Sequence, residues 1–139
     1  MKFILSAILI FPCFLIYSQE TKKKDTIDVE LSQCLDKTEN QTTAGMCDCT
    51  YKALDQWDRK LNTIYKSLLT KLDTTGRNKL TEAQRQWIKF KEKEIELIDA
   101  TYGQADGTMW RISRADKVLQ ITRQRAVDLE TLLETIGDF

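Results

Sequence analysis

"GMCDCTYKALDQWDRKLNTIY", residues 45–65, sets two cysteines one residue apart at the head of a strongly patterned segment. Ala53, Trp57, Leu61 and Ile64, continued by Leu68 and Leu72, recur at intervals of four, four, three, four and four. That spacing is one face of an α-helix and predicts a helix from about Ala44 to Leu72. The cysteines admit three readings: a metal claw, a redox pair, or a structural bridge with one thiol to spare. On a helix, positions 47 and 49 lie about 200° apart, so only one of them can face a given neighbouring element.

Upstream, a short helix is expected from about Asp28 to Lys37, carrying Val29, Leu31, Cys34 and Leu35. A polar link, residues 38–43, joins the two, and its threonines suit helix caps. The sequon Asn40-Gln41-Thr42 in this link matters only in a glycosylating host. Downstream, "DTTGRN", residues 73–78, breaks the pattern, with Gly76 able to end a helix in the left-handed conformation. Thr81 and Gln84 stand at the spacing of a capping box, so the next helix is expected to start there. Its inner face would be Ala83, Trp87, Ile88, Lys91, Ile95, Ile98 and Tyr102, and "GQADG", residues 103–107, would end it. A last helix, from about Thr108 to Ile136, shows apolar or small residues from Ile112 onward at alternating intervals of three and four, the seam of a bundle helix. Each stripe can be hidden only by packing against the others, and short turns make sequential helices antiparallel. The fold class is therefore all-α, an antiparallel three-helix bundle with a short N-terminal helix laid across it.

Lys2 and the apolar run Phe3–Tyr17 read as a secretory signal peptide, residues 1–18, because the run is shorter than the roughly 20 residues that span a membrane. Acylation of Cys13 as a lipoprotein is the alternative, weakened by Pro12 before it and by the apolar residues after it. Residues 19–27 read as a flexible leader and residues 28–139 as the folded domain. The location is then periplasmic or secreted, with no stable membrane insertion after signal removal. After the signal the net charge is about minus one, so no basic field exists to hold nucleic acid. The absence of histidine excludes Ser-His-Asp and Cys-His sites, and the scattered glycines form no phosphate loop. No catalytic residue, metal or cofactor is expected.

Export leaves Cys34, Cys47 and Cys49 in an oxidising compartment, an odd count that strands one thiol. Zinc would need a fourth ligand and C-x-x-C spacings, and a C-x-C redox pair lacks a strand-helix context. A structural disulfide is the favoured reading.

The order Cys34, Thr43, Met46, Cys49, Asp58, Leu61-Asn62, Tyr65, then Leu80, Ala83-Gln84, Trp87, Phe90, then Tyr102, Gly107, Thr122, Arg125 resembles the N-terminal domain of the family named after the lysozyme inhibitor LprI. The resemblance runs from about Cys34 to Leu133 and is densest in "DRKLNTIY" and "LTEAQRQWIKF". It implies that Cys49 is the partner of Cys34, tying the short helix on, and that Cys47 is the unpaired thiol, through which two copies could be linked. It also implies a second cysteine pair at the positions of Ile95 and Lys117, where this chain has none, and an arginine where it has Lys91.

Asp58 and Asn62, with Tyr65, Gln84, Trp87 and Arg125, then read as a structural motif that fixes the register of the bundle, with Arg125 or Lys91 as the partner of Asp58. One carboxylate without a second acid or base is a thin basis for hydrolysis. Tyr102, Met109 and Trp110, flanking the glycine-bounded loop, form the candidate partner-binding surface. The function implied is that of an exported, non-catalytic binding protein, a lysozyme inhibitor occluding the muramidase cleft. The alternatives are an envelope protein-interaction or stress-related module without lysozyme affinity, and an enzyme using the free thiol. The balanced charge runs mildly against a basic lysozyme as partner.

Overall fold

The computed structural model describes residues 24–137, in the order α1 (Thr26–Leu35), a single 3-10 turn (Thr38–Asn40), α2 (Thr43–Lys71), α3 (Thr74–Tyr102) and α4 (Met109–Gly137). The expected signal peptide, the expected acylation site Cys13 and the first residues of the expected leader lie outside the described residues. Among the described residues there is no strand, and no helix is long and apolar enough to cross a membrane. The all-α bundle expected from the periodicity is the fold.

Capping side chains set the helix starts. Asp25, Thr42 and Asp73 each take an orphan N–H of the following turn, from Ile27, Gly45 and Gly76 respectively. Two expectations are corrected by these caps. The leader does not extend to residue 27, because Asp25 starts α1 and Ile27 packs against the core. Likewise α3 begins at Thr74 rather than at Thr81: Leu72 and Asp73 are extended and complete the reversal in two residues. Gly76 therefore lies within α3, and the Thr81/Gln84 spacing belongs to a helix interior.

The two reversals make α2 and α4 parallel, and this pair is the most extensively packed in the molecule. Trp57, Leu61 and Leu68 of α2 meet Leu119, Thr122 and Leu129 of α4, all fully buried. α3 joins them less deeply, burying only Leu80 and Gln84. Of its expected inner face, Trp87, Lys91, Ile95, Ile98 and Tyr102 are half-buried, whereas Ala83 and Ile88 are exposed. The side chains that α3 buries lie in its N-terminal half, and two grooves open beside the helix. One, of about 690 Å³, runs between Trp87, Phe90 and Ile98 of α3 and Ile121 of α4.

α1 runs antiparallel to α2 and contributes no fully buried residue. Besides the hydrogen bond from Gln56 to Glu30, three attachments hold it. The Cys34–Cys49 disulfide joins Cα atoms 5.8 Å apart. The Asp28 carboxylate receives Arg123 Nη2 at 2.7 Å and Trp57 Nε1 at 3.3 Å. Lys60 Nζ bridges Asp25 and Glu130. Asn40 closes the corner by donating from Nδ2 to the Cys34 carbonyl at 2.8 Å, so the sequon's amide is already engaged.

Candidate functional site

The six motif residues converge on the seam where α3 meets α2 and α4. Asn62 Nδ2 donates to the Asp58 carboxylate at 3.0 Å, one turn apart on α2. Lys91, not Arg125, stands beside Asp58, at 3.8 Å. Arg125 of α4 instead donates from Nε to Oε1 of the buried Gln84 at 3.1 Å. Burial lowers the pKa of Arg125, with Asp128 opposing the effect. Trp87 lies between the two cations, 5.3 Å from Lys91 Nζ and 6.0 Å from the Arg125 guanidinium. Tyr65 donates to Thr81 Oγ1 at 3.4 Å. The Lys91–Asp58, Arg125–Gln84 and Tyr65–Thr81 contacts each bridge two helices, and the Asn62–Asp58 bond lies within α2.

Parallel packing also brings the N-terminal ends of α2 and α4 together, where Thr43 and Thr108 hydroxyls are 3.1 Å apart. Between them opens a groove of about 540 Å³ lined by Cys47, Asp48 and Tyr51 of α2 and by Trp110, Arg111 and Arg114 of α4. Arg114 is the strut of this end. It makes a bidentate pair with Asp99 of α3 and reaches the Tyr51 hydroxyl at 3.3 Å. The hydrogen bond to Asp99 raises the pKa of Arg114 and lowers that of Asp99. Gly107, at φ +90°, turns the connection between α3 and α4, a conformation that favours glycine.

Of the three residues expected to meet a partner, the structure places one in this groove. Met109 is 76 % exposed at the tip of α4 and Trp110 lines the groove. Tyr102 is half-buried at the end of α3 and does not line it. The indole Nε1 of Trp110 is buried and makes no hydrogen bond to another protein group. The free thiol of Cys47 is half-buried in the same groove. Arg111, Tyr51 and Asp48 had no signal in sequence. Only the α2–α4 register aligns position 51 with position 114.

Among the described residues, no group of three or more Cys, Asp or Glu side chains is placed to hold a metal ion. The geometry defines a disulfide-tied helical bundle with two side-chain assemblies, one along the edge of α3 and one at an open helix end. A family profile described as lysozyme inhibitor LprI matches residues 34–129, from the bridging cysteine to the last core leucine of α4, and the chain belongs to that family. Among solved structures, the chain is similar to an uncharacterized protein from Burkholderia thailandensis, at 31 % identity and a TM-score of 0.78. The similarity covers 83 % of this chain and 57 % of that one, so this chain spans little more than half of that structure's length. No curated protein matches.

Proposed function

We propose that this protein is exported and inhibits a lysozyme without catalysis, by seating the paired N-terminal ends of α2 and α4 in the muramidase cleft. Membership of the lysozyme inhibitor family across residues 34–129 is the observation that carries the reading. The helix end supports it physically. It bears an exposed thioether and an aromatic ring beside an open groove, and is held from behind by the Arg114–Asp99 pair and the disulfide. A rigid surface of this kind loses little conformational entropy on docking. Met109 and Trp110 act as the anchors, and Tyr102 supports the loop from the end of α3.

The test is to add purified protein, residues 19–139, to several types of lysozyme digesting cell walls. Slowed lysis by at least one type is expected, and Met109→Glu should weaken that effect about tenfold without lowering the melting temperature. Unchanged lysis across all types removes the inhibitor reading. A second reading, an envelope interaction module with another protein partner, is favoured by the way the same unit fills only 57 % of a longer solved chain. It is the reading left standing if lysis is unaffected.

A further inference from the structure

We infer that Arg111 is the residue with which the helix end engages the carboxylates of a muramidase cleft, and that Trp110 is the shelf that aims it. This rests on the inhibitor reading and adds to it the chemistry of recognition. Arg111 is exposed, and its guanidinium carbon lies 5.9 Å from the centroid of the Trp110 ring. Among the described residues it is the arginine whose guanidinium has no hydrogen-bond or ion-pair partner. Arg59, Arg85, Arg114 and Arg123 pair with carboxylates, Arg77 with the Leu72 carbonyl and Arg125 with Gln84.

The charges around it sharpen the point. Arg114, in the same groove, is already neutralised by Asp99. Asp48 lines the groove across from Arg111 and makes no ion pair with it. An arginine and an aspartate thus stand apart in one groove instead of cancelling each other. Such a surface complements a partner that presents carboxylates ringed by basic groups. Glycoside hydrolases commonly place two carboxylates astride the scissile bond, inside a cleft. A guanidinium offers two parallel N–H donors that fit a carboxylate, and the long cation–π contact with the indole favours one side for it before the partner arrives.

The experiment is a double-mutant cycle on binding, with a lysozyme that the wild-type protein inhibits and the same lysozyme with both catalytic carboxylates replaced by amides. Wild-type protein is expected to bind the amide form about tenfold more weakly. Arg111→Gln should bind both forms alike, and Arg111→Lys should recover part of the difference. Because Arg111 is exposed, the melting temperature of Arg111→Gln should match wild type, which separates recognition from folding. Equal losses for wild type and Arg111→Gln on the amide form, or no loss for either, overturn the assignment of Arg111 while the inhibitor reading stands. Failure of wild type to bind any lysozyme removes the reading, and this inference with it.

Discussion

Cys34→Ser or Cys49→Ser should lower unfolding free energy by about 3 kcal/mol, because the bridge spans a sequence separation of 15 and its removal restores chain entropy to the unfolded state. Urea unfolding of the oxidised and reduced wild type provides the same comparison without mutation. Arg125→Ala leaves Oε1 of the buried Gln84 without its donor and should cost about 1–3 kcal/mol. In a cycle with Gln84→Met the two losses should be less than additive, since the second change removes the group that the first had orphaned. Both residues were recognisable as motif positions. Their bond to each other was not, because it crosses from α3 to α4 and leaves no local spacing to read.

The element most weakly held is α1, whose apolar side chains Ile27 and Leu31 only lean on the core. Asp28→Ala should cost about 1–3 kcal/mol by leaving Arg123 and the Trp57 N–H without their acceptor, and amide exchange should quicken in α1 before the long helices. The same helix carries a pH dependence. Burial alone raises the pKa of Asp25, but the hydrogen bond from Lys60, the Ile27 N–H and the charges of Lys60 and Arg123 outweigh it and leave it below 3.8. A depressed folded pKa means that stabilisation is present above 3.8 and is lost as pH falls through the lower, folded value. Lys60 behaves oppositely: its hydrogen bonds to Asp25 and Glu130 overcome desolvation and raise it above 10.5, so its contribution fades only as pH rises past that value. Exchange in α1 should therefore accelerate selectively in strong acid, and Asp25→Asn should flatten that acceleration. A uniform acceleration across all four helices would contradict this account.

In the whole molecule, the free thiol reports on the open helix end. Cys47 should take one equivalent of maleimide in unreduced protein, and a bulky adduct should fill the groove beside Trp110 and abolish lysozyme inhibition with little change in melting temperature. Labelled protein that still inhibits would place the contact surface elsewhere. A disulfide between two Cys47 residues would block the same groove, so any dimer seen by mass measurement without reductant should be inactive until reduced.

The helices, most of their apolar faces and the disulfide-tied bundle were legible in the sequence. Periodicity is a local property and the family spacing around Cys34, Cys49 and Trp87 is distinctive. The start of α3 was misread because Thr81 and Gln84 satisfy a cap's spacing as well as a helix interior's, and only the chain reversal at Leu72 and Asp73 decides between them. Tertiary structure alone decided which ends meet. Two reversals make α2 and α4 parallel, and that pairing sets Cys47, Asp48 and Tyr51 against Trp110, Arg111 and Arg114, residues about sixty positions apart whose proximity depends on the register of packed helices. It also left α3 leaning on the pair through its N-terminal half, since the interior between α2 and α4 was already filled by Trp57, Leu61, Leu119 and Leu129.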